Sequence, residues 1–281
     1  YFISILPSGC KWLIVDHYEL TKAWEMACYG WAENIFVIDD IPKREHVCNI
    51  LMDSSILRIR NHYSQLVSSE TTTLLGPEYA LIRSEFFYKR KESIDRRKSP
   101  HLKQILISFG ATDRIGLSLV ALNAVIESKL NLKVDIVLSE KHKDLKKIIS
   151  VVNNADISIN YYFNVNNMAE LMCKADLAIG ALGTSSWERC CLGLPTLAIA
   201  TSNNQEDNQL GLLKYGAIKV VNGEKKDLID IITNKLVNLS NRDLENMSLN
   251  ASKLSQGLGR FRIVAELSPP ISNDGKIIRL R

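Results

Sequence analysis

The sequence is short of most features that mark a specialised chain. Its six cysteines (Cys10, Cys28, Cys48, Cys173, Cys190 and Cys191) never fall at CxxC spacing, and its five histidines form no HxxxH pair. That argues against a structural zinc site. The vicinal Cys190-Cys191, set in an apolar run, reads as small core hydrophobes of a reducing compartment. No apolar stretch approaches the roughly 20 residues a membrane helix needs. Charge of one sign is scarce too: 35 Lys and Arg against 31 Asp and Glu leave +4, too little for a nucleic-acid-binding polycation. Aromatics, at 7 %, form no stacking stripe. With no signal-peptide pattern in view, the expected setting is the cytoplasm, without membrane, nucleic-acid or metal partners.

What remains is an ordinary globular composition over 281 residues, enough for two domains. Apolar runs of strand length alternate with helical spacing. Strands are expected at 12–16, 34–39 and 49–53, with a helix over 19–29 on Leu20, Ala23, Trp24 and Ala27. A basic, polar stretch over 89–103 then suggests a solvated helix or linker and a domain boundary. Beyond it strands are expected at 104–109, 132–138, 157–162, 176–181, 196–200 and 217–221. Helices are expected at 116–129, 141–153, 166–173, 185–192, 205–215 and 226–239. Such alternation with short connections predicts parallel sheets covered on both faces, two α/β units in series. The boundaries drawn are 1–98, 99–262 and a tail over 263–281. The chain opens in an apolar run without Met, and a turn signal at Asn273-Asp274-Gly275 precedes a strand-like end. Both ends suggest a piece of a longer polypeptide; a terminal edge strand is the alternative for the second.

In parallel sheets ligands bind beyond the carboxyl ends of the strands. Gly110-Ala111-Thr112-Asp113 follows one such strand, where a glycine lets backbone N–H groups approach a phosphate; a tight turn is the plainer reading. The segment Gly180-Ala181-Leu182-Gly183-Thr184-Ser185-Ser186-Trp187-Glu188 runs from strand through a turn into a helix. Thr184, Ser185 and Ser186 suit helix capping or a diphosphate. Glu188 is either a capping-box or dipole-complementing acid or an acceptor for ribose hydroxyls. The residues from Tyr162 to Met168, with Val165 between them, could read a base edge or merely cap a helix. The carboxamides Asn203, Asn204, Gln205, Asn208 and Gln209 crowd another strand end. Asp16-His17-Tyr18 closes the first strand, and a lone histidine there is more often structural than catalytic.

These blocks together resemble a family. Trp12-Leu13-Ile14-Val15-Asp16-His17-Tyr18, Trp24-Glu25, Val37-Ile38-Asp39-Asp40, the stretch from Leu75 to Phe86, Ile107 to Asp113, Ala181 to Pro195 and Asn204-Gln205 are similar, over about residues 10–260, to UDP-2,4-diacetamido-2,4,6-trideoxy-β-L-altropyranose hydrolases of pseudaminic acid biosynthesis. These are relatives of the GT-B glycosyltransferase that makes lipid II. The resemblance implies two Rossmann-like domains of GT-B type, the N-terminal one incomplete, and metal-free inverting displacement of UDP by water. It implies UDP contacts at Gly110, Thr112, Asp113, Val165, Met168, Thr184, Ser185, Ser186, Glu188, Asn204 and Gln205. Tyr18 and Asn204 would line the sugar side, and Arg83 would be structural first.

Two departures stand out. Ala111 replaces a second glycine of the family's loop, and the Gly-x-Gly-His loop that carries the family's base histidine is absent from the 281 residues. His17 belongs to a different block and does not replace it. The tail resembles the opening of a GNAT acetyltransferase domain, which fits a fusion. A UDP-sugar glycosyltransferase is the alternative function, and a UDP-sugar-binding remnant a third.

Overall fold

A computed structural model of the protein describes residues 9–110, 113–201 and 205–268. Their contacts gather into two compact units. The smaller combines the residues up to Leu81 with those from Leu258 onward; the larger is Ile82–Gly257.

The smaller unit holds four parallel strands, β1 (Cys10–Val15), β2 (Ala32–Ile38), β3 (Ile50–Asp53) and β4 (Thr72–Leu75), paired in that order. The unbroken run Ile35-Phe36-Val37 suits a strand covered on both sides, because successive side chains point to opposite faces. Ile35 and Val37 pack with Val15, Leu51 and Tyr63, while Phe36 packs with Ile50, Met52, Leu74 and Ile263. Helix α1 (Lys22–Cys28) joins β1 to β2. Ile263 arrives on the chain's last described helix (Gly259–Leu267), and the indole of Trp12 donates to the Leu267 carbonyl at 2.9 Å.

The larger unit is a six-stranded parallel sheet of β5 (Gln104–Ser108), β6 (Lys133–Leu138), β7 (Ile159–Phe163), β8 (Leu177–Ala181), β9 (Thr196–Ile199) and β10 (Ile218–Val220). Its order is β10-β9-β8-β5-β6-β7. Helices α2 (Ser84–Arg96), α3 (Leu117–Glu127), α4 (Leu145–Asn154), α5 (Met168–Lys174), α6 (Ser185–Cys191), α7 (Glu206–Lys214), α8 (Leu228–Val237) and α9 (Asn241–Leu254) accompany it; the smaller unit's Gly259–Leu267 is α10. One core joins Ile105, Ile107, Ile136, Ile179 and Leu197 of the strands to Ala121, Val125 and Ile232 of α3 and α8.

The contacts divide the chain differently from the boundary drawn at 98/99. The basic stretch is helical from Ser84, and its inward side chains are fastened to the larger unit. Phe86 is buried, and Arg90 donates to the carbonyls of Ser252 (2.7 Å) and Ser255 (3.0 Å). Arg97 donates to those of Met172 (2.9 Å) and Ala175 (2.8 Å). A composition shift marked the exposed side of this helix, not a seam. The tail was likewise placed apart, yet its described part supplies α10 to the smaller unit; the strand-like residues 276–281 lie outside the described residues. Strand β4 and helices α9 and α10 had no counterpart in the sequence reading.

A fragment 82–257 is therefore expected to melt cooperatively, whereas 99–257 is not. Losing the Phe86 packing alone costs about 3–5 kcal/mol, before the carbonyls held by Arg90 and Arg97 lose their donors. Circular dichroism melts of the two fragments decide; equal midpoints would return α2 to the status of a linker.

Candidate functional site

In the larger unit the chain runs from β5 outward to β6 and β7, then returns to the opposite side of β5 with β8. Connections leaving β5 and β8 therefore diverge, which opens a crevice at their carboxyl ends. Seven described residues of the expected site follow β5, β8 and β9: Gly110, Asp113, Thr184, Ser185, Ser186, Glu188 and Gln205.

After β5, Gly110 takes a left-handed φ of 82°, and among the described residues a Cβ built on it would touch nothing within 4 Å. Asp113, four residues before Leu117 at the start of α3, is differently employed. Its Oδ1 accepts from the Leu117 N–H at 2.9 Å, and Oδ2 accepts from Ser118 N–H at 2.8 Å with His142 Nε2 at 2.9 Å. Burial pushes its carboxyl up, but His142, Ser118 and the α3 amides outweigh that and hold it below the usual range. The carboxylate is thus engaged inside the fold, and the N–H groups of Leu117 and Ser118 at the start of α3 already have an anion. Thr112 lies outside the described residues.

The turn after β8 departs from its capping reading. Thr184 is exposed and makes no side-chain cap. Ser185 and Ser186 open α6, and their hydroxyls accept from Arg189, one turn on, at 3.2 and 3.1 Å. A capping-box acid sits third in the helix; that place is Trp187. Glu188 comes fourth and pairs instead with Arg83, Nε to Oε1 at 3.2 Å. Burial raises the Glu188 carboxyl above its ordinary value, with Arg83 pulling the other way. Arg83, read as structural first, thus sits against the expected ribose acid.

Gln205 ties two strand ends together. Its Oε1 accepts from the N–H groups of Leu182 (3.3 Å) and Thr201 (3.0 Å). Its Nε2 stands 4.0 Å from where a Cβ on Gly183 would be. Val165 and Met168, both half-buried, follow β7, separated from β8 by β5 and β6, so they share the sheet's edge with the others but not its crevice. Asn204 lies outside the described residues.

In the smaller unit Tyr18 is 56 % exposed beyond β1, and its hydroxyl donates to Asp40 Oδ1 at 2.8 Å. Burial and Asp40 both push the phenol up, and burial with the nearby Asp53 and Asp39 pushes Asp40 up. His17 accepts the Glu19 N–H on Nδ1 at 3.1 Å, a contact within the turn. Behind Asp40 lies a buried chain that sequence reading missed. His46 contacts Glu25 Oε1 at 2.7 Å through Nδ1 and Asp39 Oδ2 at 3.3 Å through Nε2, and Arg44 pairs with Asp39 as well. Burial opposes charge on His46, but the two carboxylates prevail and push it up to about 9. Glu25 and His46 are 21 residues apart, so no local spacing could reveal the pair.

Among the described residues no group of three metal-ligating side chains converges, and no helix is long and apolar enough to cross a membrane.

No protein-family model matches the chain. It is 27 % identical over 205 residues (73 % of this chain, 71 % of the relative) to the UDP-2,4-diacetamido-2,4,6-trideoxy-β-L-altropyranose hydrolase of Campylobacter jejuni. It is 27 % identical over 179 residues to an uncharacterised protein of Methanocaldococcus jannaschii, covering 62 % of this chain and 36 % of that one. A Helicobacter pylori UDP-N-acetylglucosamine–N-acetylmuramyl-(pentapeptide) pyrophosphoryl-undecaprenol N-acetylglucosamine transferase is 29 % identical over 174 residues, 58 % of this chain and 49 % of the enzyme. The matches thus span from about a third to under three quarters of these relatives' lengths. Among solved structures, UDP-GlcNAc 2-epimerase from Neisseria meningitidis bound to UDP-GlcNAc superposes with a TM-score of 0.65 at 15 % identity, covering 95 % of this chain and 78 % of the other. Acinetobacter baumannii MurG gives 0.61 at 15 %, covering 92 % and 74 %. The fold is α/β of GT-B type, as expected.

The His46 chain has a pH signature. A base raised from 6.5 to about 9 contributes fully below 6.5, and its contribution is lost as pH rises through 9. Thermal stability should fall between pH 7 and 9.5 by an amount on the order of 2–3 kcal/mol, and His46→Gln should flatten that decline. An equal decline in both proteins would refute the assignment.

Proposed function

We propose that the chain binds a UDP-linked amino sugar at the carboxyl ends of β5, β8 and β9, and serves a metal-independent inverting hydrolase of the UDP-diacetamido-trideoxy-altropyranose class in pseudaminic acid biosynthesis. The observation that carries the nucleotide reading is the crevice where strand order reverses, with an unobstructed glycine on one side and a partly buried acid on the other. The Campylobacter relative supports the hydrolase within that reading.

Each residue then has a chemical task. Gly110 admits the diphosphate close to backbone, and Ser185 with Thr184 donates to it. Glu188 accepts from the ribose hydroxyls, exchanging Arg83 for them. Gln205 holds the ends of β8 and β9 and leaves its amide toward Gly183. Val165 and Met168 would meet the base, although they stand two strands from the crevice. Asn204 and Tyr18 would serve the sugar side. In the reaction water adds to the anomeric carbon, the bond to the UDP oxygen breaks, and the water's proton passes to a base. The family resemblance gives that base to a Gly-x-Gly-His histidine, a motif the 281 residues do not contain. Binding without efficient turnover is the corresponding behaviour of this polypeptide. The second reading, a transferase on the same fold, is favoured by the Helicobacter match and differs only in that an acceptor hydroxyl replaces water.

Calorimetry should show UDP binding by the chain that survives a chelator; no binding would remove the nucleotide reading. Glu188→Gln should weaken binding by about 1–3 kcal/mol. An acid raised by burial stabilises only below its folded pKa and costs stability once ionised, so the same variant should keep its melting midpoint at pH 7. A variant that melts early while binding UDP normally would make Glu188 structural.

Product analysis separates the two chemistries. Supplied with the UDP-sugar, the chain should release free sugar and UDP about 10²–10⁴-fold more slowly than the Campylobacter hydrolase, the usual worth of a general base. Transfer to an added acceptor would establish the alternative.

A further inference from the structure

Arg189 lies under the β8 turn and is 3 % exposed. Its guanidinium donates to the hydroxyls of Ser185 and Ser186 and to the carbonyl of Ala181, all neutral acceptors. Its Nε is buried without an acceptor among the described residues. The adjacent carboxylate, Glu188, is 3.2 Å from Arg83 and forms no ion pair with Arg189. Burial lowers the guanidinium to about 10, so it stays charged at neutral pH. A buried cation hydrogen-bonded only to neutral groups is costly, and among the described residues the neighbouring Glu188 carboxylate offsets that cost only through space.

Arginine has donors only. The oxygens of Ser185 and Ser186 must therefore accept from it, and each hydroxyl keeps its one proton for another partner. No described residue takes either proton. Ser186 is buried, whereas Ser185 is half-buried two residues after Gly183, where a built Cβ would meet, among the described residues, only Gln205 Nε2 at 4.0 Å. An incoming group at Ser185 can therefore be received by a donor, above a positive charge that no described carboxylate hydrogen-bonds.

We propose that Arg189 is a positioning and specificity-determining residue: it holds the Ser185 oxygen so that the hydroxyl proton is free to donate, and makes the β8 turn select a diphosphate-like anion over a neutral group. This rests on the nucleotide reading for the identity of the ligand but not for its charge. Arg189 itself does not touch the ligand; it acts through Ser185 and through its field.

The test measures binding of UDP, uridine and inorganic pyrophosphate to the full chain, Arg189→Met, Arg189→Lys and Ser185→Ala, with a thermal melt of each. Arg189→Met should lose about tenfold or more in affinity for UDP and pyrophosphate, the scale of one charge-assisted interaction, with uridine unchanged. Arg189→Lys should recover part of it, and Ser185→Ala should show the same selective loss. Equal weakening of UDP and uridine by a folded Arg189→Met would reduce Arg189 to packing and overturn the proposal. If Arg189→Met does not fold, unaltered UDP affinity in Ser185→Ala overturns it instead. Pyrophosphate bound by the parent while UDP is not would retire the nucleotide reading and leave the anion site standing. Failure of both ligands to bind the parent would end both.

Discussion

A parallel sheet offers a ligand crevice only where its strand order reverses, and here that place is between β5 and β8. The core on both sides exists to hold these two strands in register, with Ile105, Leu106 and Ile107 opposite Leu177, Ala178 and Ile179. Gly180 makes the closest part of that pairing possible, since a Cβ there would stand 2.5 Å from the Ser108 carbonyl and 3.2 Å from Arg189. The same glycine therefore seats the strand and leaves room for the guanidinium beneath the turn. Strand pairing, turn geometry and electrostatics meet at one missing side chain.

The larger unit also shows how buried guanidinium groups are accommodated without carboxylates. Arg90 and Arg97 spend their donors on carbonyls near the ends of α9 and α5, groups that a helix terminus leaves without intrahelical partners and that carry its negative partial charge. Each takes up carbonyls that the helix end leaves over. Arg189 follows the pattern only in part, for one carbonyl and two hydroxyls are its acceptors among the described residues. The difference separates cations that hold helix ends from one that holds the hydroxyls of a turn.

Much of the architecture was legible because buried parallel strands are dense apolar runs of fixed length: 104–109 and 176–181 fall within a residue or two of β5 and β8. Strand β4 escaped because Thr72-Thr73-Leu74-Leu75 is too short to show a period. Helices α9 and α10 were not legible because they follow α8 with no strand between, outside the strand–helix alternation. At the site, types and loops were legible but partnerships were not. Asp113 looked free because its partner His142 is 29 residues away, and Glu188 looked like a cap because Arg83 is 105 residues away. The Ser185–Arg189 contact was within reach, since residues four apart on a helix are neighbours.

The pairing of Arg83 with Glu188 has a thermodynamic side. Any hydroxyl that takes Glu188 Oε1 must compete with a guanidinium already there, so binding at this carboxylate is an exchange. Arg83's side chain is half exposed and Glu188's is 13 % exposed, which makes the incumbent contact open to ionic screening, while a neutral hydroxyl is hardly screened at all. Added salt thus shifts this exchange toward the newcomer, opposite in sign to its effect on the phosphate charge. Ionic strength becomes a means of weighing the two ends of one ligand separately.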